Sequence, residues 1–338
     1  MKTVSSRLVA LILFASAPAL SPGRAQACAS CGCTISSDWE NLNFASHGGF
    51  KLDLRYDDLD QNDLRFGRHG IGPQAASRLL TPDGEPYEIE TYTHNRYLTA
   101  ALDYSAGGHW GINLSVPWIK RSHETLGTAS DGVTPGEDGE SYVSDTSQLG
   151  DLRVVGRYAF GETRHAGLLF GVKLATGRTN LTGVSTDPAS PGEAADIDPG
   201  LQAGAGTTDA IVGAYYAGSL SRDWEYYGQV LYQRAFDAHD GYRPGDGYNL
   251  NLGVKYAGNS HVVPQLQLNA RHVGHDTGPR ADSLATGGTL VYLTPGVAVP
   301  VNDRVSLYAF VQMPVYQDVR GVQLTPKATV SVGTRLSF

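Results

Sequence analysis

The sequence predicts an all-β chain: a single transmembrane, antiparallel, up-and-down β-barrel of about 12 strands, preceded by a short N-terminal periplasmic segment containing cysteines. Three observations predict it. Apolar and polar residues alternate along stretches of similar length, the connections sort by length with strict parity, and no apolar run after the N-terminus is long enough for a membrane helix. The plainest stretch is Trp110-Gly-Ile-Asn-Leu-Ser-Val-Pro-Trp118, where every second residue is apolar and the residues between are Gly111, Asn113, Ser115 and Pro117. Eight steps of roughly 3.3 Å, tilted by about 40–45°, carry such a strand about 20 Å along a barrel axis. A Trp at each end then lies at a membrane–water interface, where an amphipathic ring is favoured.

The N-terminus reads as a targeting segment. Lys2 and Arg7 precede the apolar run Leu8-Val-Ala-Leu-Ile-Leu-Phe14, and the small-residue triplet Ala25-Gln-Ala27 ends it. Residues 1–27 are therefore expected to be a signal peptide, with 28–47 a periplasmic segment and 48–338 the barrel. Loss of Lys2, Arg7 and Arg24 takes the formal net charge from -8 to -11, an acidic balance that argues against a nucleic-acid partner. Gly 41 and Tyr 18 against Met 2 favour strands, turns and interfacial aromatics over helices.

All three cysteines fall at the expected mature N-terminus, in Cys28-Ala-Ser-Cys31-Gly-Cys33. Three thiolates this close suit a soft ion, copper or zinc. A disulfide with one spare thiol and lipidation of Cys28 are the competing readings. Gly32 stands where a c-type haem needs His, so haem is excluded. Ser37-Asp-Trp-Glu40 has the spacing of a capping box and predicts a short helix over about 38–45, packed at the barrel rim.

The strands then follow in order. Phe50, Leu52, Leu54 and Tyr56 alternate with Lys51, Asp53 and Arg55, and Leu98, Leu102 and Tyr104 alternate with Tyr97, Thr99 and Asp103. After 110–118 come Leu152 to Phe160 and Leu168 to Leu174, while 209–216 is small-residue-rich and ambiguous in phase. Trp224 to Gln233, Tyr248 to Tyr256, Gln265 to Arg271, Val291 to Val299, Val305 to Met313 and Val330 to Phe338 complete the set. Pro117, Pro264, Pro295 and Pro314 each remove a ladder donor and are expected at rims or bulges. Short connections near 105–108, 161–165, 219–223, 257–261 and 301–304 alternate with long ones near 58–88, 119–148, 178–207, 235–246, 274–287 and 317–327. Barrels of the outer membrane have short periplasmic turns and longer external loops. A β-sandwich would not sort its loops this way.

This phase assigns a lumen face. Lys51, Arg55, Arg153, Arg157, Lys173, Lys255, Arg271 and Arg335 face inward against Asp53, Asp57, Asp103, Asp151 and Glu225. The lumen thus leans basic although the chain is acidic, and a basic pore favours anions. The competing reading is a salt-bridged network that fills a closed interior. Tyr97, Tyr227, Tyr292, Tyr308 and Phe310 also point inward, which suits an aromatic or sugar-like solute.

Three further clusters carry metal-ligating residue types. Asp58-Leu-Asp-Gln-Asn62 has the first ligand positions of a Ca²⁺ loop, but Asp63 replaces the required Gly, so it reads as an acidic outer loop, as does Gly136-Glu-Asp-Gly-Glu140. His272 and His275 fall on opposite faces of a strand. No Gly-x-Ser-x-Gly stretch is present, and the chain reads as a non-enzyme without a resident cofactor.

From Leu149 onward the chain resembles a family of outer-membrane transporters associated with the meta-cleavage pathway of phenol degradation. The resemblance rests on Leu149-Gly-Asp-Leu-Arg153, Gly171-Val-Lys-Leu-Ala-Thr-Gly177 and Leu201-Gln-Ala-Gly-Ala-Gly-Thr-Thr-Asp209. Thr294-Pro-Gly296, Pro314-Val-Tyr-Gln-Asp-Val-Arg-Gly-Val-Gln-Leu324 and the terminal Phe338 add to it. Ala175, Ala205 and Arg320 depart from the family's usual Pro, Thr and Asn. The resemblance implies a barrel, hence outer-membrane lipid around it, and suggests passage of a small solute; independently, the aromatic end Arg335-Leu-Ser-Phe338 matches the terminal-strand signature expected for the barrel-assembly machinery. The resemblance names neither the solute nor an oligomeric state. The alternative to a channel is a metal-handling or structural barrel whose cysteine segment holds copper or zinc.

Overall fold

The computed structural model describes residues 48–259 and 261–338, so the leader, Cys28, Cys31, Cys33 and the capping-box helix lie outside the described residues. The strands are β1 (Gly49–Phe66), β2 (His69–Gly70), β3 (Glu90–Ser105), β4 (Trp110–Thr125), β5 (Tyr142–Leu149), β6 (Leu152–Phe160), β7 (Ala166–Leu174) and β8 (Thr182–Ser185). Then come β9 (Ala194–Asp196), β10 (Asp209–Ser219), β11 (Trp224–Ala235), β12 (Gly247–Tyr256), β13 (Val263–Val273), β14 (Gly288–Pro300), β15 (Val305–Val319) and β16 (Val322–Ser337).

Twelve of these form a closed antiparallel wall: β1, β3, β4, β6, β7 and β10 to β16. Closure is made by β1, which pairs with β3 on one side and with β16 on the other. Strand β5 continues the line of β6: β4 pairs with β6 through Ser115 and with β5 from Trp118. The small strands β8 and β9 extend β5 beyond the wall.

Each face follows from the two-residue period. On β4 the outward residues are Trp110, Ile112, Leu114, Val116 and Trp118, with the two Trp rings 56% and 45% exposed. Exposure on this scale marks a lipid-facing band. Aromatic contacts run along its inner edge, including Phe50–Tyr104 at 4.8 Å, Trp110–Tyr158 at 4.7 Å and Trp224–Tyr256 at 5.3 Å. At the outer edge Trp118 donates its indole N–H to Ser147 Oγ at 2.9 Å.

Three of the six long connections, those expected near 58–88, 119–148 and 317–327, are shorter than the alternation predicts, and the other three are not. Strand β1 runs on to Phe66, β4 to Thr125, and β15 and β16 meet at a tight turn about Gly321. Above the band the outward residues become Asp58, Asp60 and Asn62 on β1 and Lys120, Ser122 and Glu124 on β4. Outside lipid both faces of a strand meet water or polar groups, so hydropathy contrast disappears while backbone pairing continues. Asp58 to Asn62 is therefore strand and not a loop, and its alternating side chains do not form the tight turn a Ca²⁺ loop requires.

The prolines behave mostly as expected. Pro117 sits where β4 passes from β6 to β5, and its carbonyl accepts Gly150 N at 2.8 Å. Pro314 lies at a register shift against Tyr292, and Pro264 is near the inner rim. Pro295 differs: it stands in the wall, opposite Leu266, and the β14–β15 pairing skips it.

Outside the band the loops pack into a cap. The one-turn helix α1 (Pro73–Ala76) contributes Ala76 to a buried cluster with Tyr87, Ile89, Leu126, Ala285 and Leu324. Asp282 is buried beside it and accepts Leu284 N and Ala285 N, each at 2.8 Å. Burial pushes this carboxyl up to about 6, against the lowering effect of those two N–H groups. The folded state then holds the proton more tightly than the unfolded chain, whose Asp titrates near ~3.9. Stability therefore falls as pH rises from about 4 through 6, and the penalty is complete above that window. Asp282→Asn is expected to raise the cap's stability at pH 7.5 by up to about 3 kcal/mol and to leave pH 4 unchanged. Hydrogen exchange of Leu284 and Ala285 amides at both pH values measures it; equal exchange in the two proteins at pH 7.5 contradicts it.

Candidate functional site

Polar residues occupy the inward face and are largely buried there, among them Asp53, Asp103, Gln229, Asn251, Asn269 and Thr294. A cavity of about 380 Å³ lies within the barrel, lined from the wall by Asn113, Ser115, Arg121, Arg153, Asn251 and Arg271 among others. Its roof is the segment 199–205, which folds inward from the long connection after β7. Small-molecule sites span roughly 300–1,000 Å³, so the cavity holds one small solute.

Asp151 pins that roof. It occupies the break between β5 and β6, where the chain is free of regular pairing. Its Oδ1 accepts Thr176 N at 3.1 Å and Gly177 N at 2.9 Å, and its Oδ2 accepts Ala205 N at 3.1 Å and Lys173 Nζ at 2.9 Å. Lys173 also pairs with Asp209 at 3.3 Å and donates to Thr207 O at 3.2 Å. Gly204 is required here: a Cβ would lie 2.6 Å from Asp151 Oδ1 and 2.7 Å from Gly177 Cα. Asp151, Lys173, Gly177, Gly204 and Asp209 all come from the three motifs 149–153, 171–177 and 201–209. Those motifs, distant in sequence, are one structural unit. Gln202 locks the roof from above, accepting Leu181 N at 2.9 Å and donating to Leu181 O and Ile197 O at 3.0 Å.

The predicted lumen residues fall into two groups. Arg55, Arg153 and Arg271 line the cavity. Lys51, Asp103, Arg157 and Lys255 lie toward the inner end of the strands, Lys173 lies at the outer end of β7, and Arg335 stands opposite Asp53 across the closing pair. Most of these charges are paired: Arg157 with Asp103, Nη2 to Oδ1 at 2.9 Å; Lys255 with Glu225 at 2.8 Å; Arg335 with Asp53 at 3.0 Å; Arg55 with Asp57 at 2.9 Å. The inner part of the lumen is thus a salt-bridged network, and the pairing reaches the cavity through Arg55 with Asp57 and Asp53 with Arg335.

Inward glycines let long side chains reach two strands away. Arg157 on β6 crosses Gly111 on β4 to meet Asp103 on β3; a Cβ on Gly111 would lie 2.3 Å from the guanidinium carbon. Tyr308 on β15 crosses Gly333 on β16 to donate to Asp53 Oδ1 on β1 at 2.8 Å. Tyr227 covers Gly253, Phe310 covers Gly296 and Tyr215 covers Gly167. The inward aromatics therefore lie flat along the wall. This is the paving of strand glycines by neighbouring rings. Across β11 to β14 a side-chain chain runs Gln229–Asn251–Asn269–Thr294, with donor–acceptor distances of 3.1, 2.9 and 2.7 Å.

Two cavity residues escape the sequence reading. Arg121 lies three residues beyond Trp118, on the inward phase of β4 that continues unbroken from Gly111. Extending the period past the band would have found it. Asp209 lies in the segment whose Ala and Gly residues hide its phase. The weighed metal clusters do not converge: His272 bonds Thr289 Oγ1 at 2.8 Å, and His275 meets Arg320 at 3.1 Å. Asp138 is a loop clamp, accepting Thr128 N at 2.6 Å.

No family model matches the chain, and no curated protein matches it. Among solved structures, an outer-membrane channel from Pseudomonas putida F1 is similar at a TM-score of 0.56 and 12% identity, covering 86% of this chain and 96% of that one. A TodX monoaromatic hydrocarbon channel variant aligns at 0.49 and 11% identity, covering 90% and 95%. The toluene transporter TbuX of Ralstonia pickettii aligns at 0.45 and 11%, covering 86% and 90%. At these identities the first likeness supports the fold: a closed 12-stranded barrel.

Proposed function

We propose that the protein is a passive outer-membrane channel for a small solute, with a preference for anions. The observation that carries this is the cavity inside a closed, lipid-banded barrel, with Arg55, Arg121, Arg153 and Arg271 on its surface. Positive side chains at a narrow point raise the local concentration of anions and oppose cations. The apolar neighbours Tyr97, Ile119, Val155 and Leu231 suit an aromatic or aliphatic body on that solute. The fold shared with an outer-membrane channel supports the same reading. Kinship with the phenol meta-pathway transporters is part of the proposal, favoured by the convergence of the three motifs on one pinned roof.

Planar-bilayer recording of the refolded full chain tests it. Discrete openings are expected, with a reversal potential in a KCl gradient displaced toward the chloride value. Silence at all salt concentrations contradicts the channel, and a cation-selective reversal contradicts the anion preference. Recognition of the terminal strand by the barrel-assembly machinery, and copper or zinc capture by Cys28, Cys31 and Cys33, are separate proposals. Mass spectrometry of the mature N-terminus with and without Cu(I) tests the second.

A further inference from the structure

We infer that Arg121 makes the cavity a saturable binding site for a monocarboxylate with an apolar body, rather than a plain aqueous constriction. This rests on the channel reading above and deepens it. Arg121 is 7% exposed, yet it faces the cavity. Its hydrogen bonds go only to neutral acceptors: Nε to Asn95 Oδ1 at 2.5 Å, Nη1 to Gln202 O at 3.4 Å and Nη2 to Tyr97 OH at 3.4 Å. A guanidinium carries more N–H groups than these three contacts use.

The cavity's acids are already occupied by protein donors. Asp53 accepts from Tyr308 and Arg335, Asp209 from Thr207, Gln233 and Lys173, and Asp276 from Tyr242 and Gly245. A buried cation held by neutral groups is costly unless an anion completes it. The cavity therefore offers donors in excess, which selects a ligand that only accepts. A carboxylate fits the planar fork of an arginine.

The body of the ligand is set by what flanks Arg121. Ile119 precedes it on the same face, and Tyr97 stands opposite Ile119 on β3. Together with Pro117 they form an apolar shelf beneath the guanidinium. The roof residue Gln202 closes the other side through its carbonyl, so occupancy of Arg121 is coupled to the pinned segment.

The test uses benzoate as probe and benzamide as its neutral isostere, on the full-length refolded protein in planar bilayers and by calorimetry in detergent. Benzoate current through the native protein is expected to saturate, and benzamide is expected not to compete. Arg121→Gln is expected to raise the half-saturating benzoate concentration at least tenfold. Arg121→Lys, which keeps the charge and loses the fork, is expected to fall between. Equal competition by benzamide in the native protein overturns the inference even if the variants do not fold. So does unchanged saturation in Arg121→Gln. A native barrel that passes KCl without benzoate saturation overturns this site and leaves the channel. One that binds benzoate calorimetrically but passes no current overturns the channel and leaves the site.

Discussion

Asp151→Ala is expected to raise single-channel conductance several-fold and to open the connection after β7 to trypsin at Arg178. Asp151 is the common acceptor for Thr176, Gly177 and Ala205 and the partner of Lys173. Its loss leaves three backbone N–H groups without their acceptor. Removing one member of a buried charged network costs on the order of 3–5 kcal/mol. Segment 199–205 keeps its other anchors: Gln202, the Gly204 N bond to Arg178 O at 3.0 Å, Arg121 on Gln202 O at 3.4 Å, and Leu201, buried with Tyr142, Ala195 and Ile197. The wall should survive, because Asp151 lies in the break between β5 and β6, outside both pairing ladders. Asp151→Asn, which keeps one acceptor oxygen, should give an intermediate conductance. Native conductance with intact protease resistance in Asp151→Ala would show that the roof is held by something else.

Gly253→Ala is expected to do the opposite and reduce conductance two- to fivefold. The added Cβ would lie 2.1 Å from Tyr227 Cε1 and 2.7 Å from its Cζ, so the ring must leave the wall. It is buried with Tyr215, Ala217 and Ala298, so its displacement disturbs the aromatic lining of the lumen. Overpacking of this kind also destabilises by about 1–3 kcal/mol. Removing the ring in the double variant Gly253→Ala, Tyr227→Ala should restore conductance to the native level or above. Gly247 supplies the control: it lines the cavity, a Cβ there meets nothing within 4 Å, and Gly247→Ala should leave both conductance and stability unchanged. A Gly253→Ala barrel that conducts like the native one would mean that Tyr227 does not border the solute path.

How much of this was legible in the sequence depends on where hydropathy contrast exists. Within the lipid band the two solvents differ sharply, so Trp110 to Trp118 and its counterparts declare the faces of every wall strand but β10. Beyond Trp118 that contrast is gone, and Arg121 was passed over although its phase is unchanged. The segment from Asp209 was unreadable because Ala210, Gly213 and Ala214 are nearly indifferent to either side. Charge pairing is a different kind of information. Arg157 reaches Asp103 only because Gly111 lies between them, and no single strand's pattern records what its second neighbour contributes. The inward fold of 199–205 was hidden for the same reason. It depends on Asp151, a residue whose role comes from a break in the wall and not from any period.

The closing pair of the barrel has a consequence for how the wall is put together. Asp53 faces Arg335, with Lys51 opposite Ser337 and Arg55 opposite Gly333. A slip of one residue would turn the charged face toward lipid. A slip of two in one direction would set Arg335 against Lys51, and in the other against Arg55. Like charges directly opposite each other repel, so both errors are penalised while the native alignment alone joins opposite charges. The first and last strands thus carry a three-letter electrostatic code that favours one register over its neighbours. A Lys51→Ala, Arg55→Ala chain would close in more than one alignment, even though its native contacts at Asp53 and Arg335 are untouched.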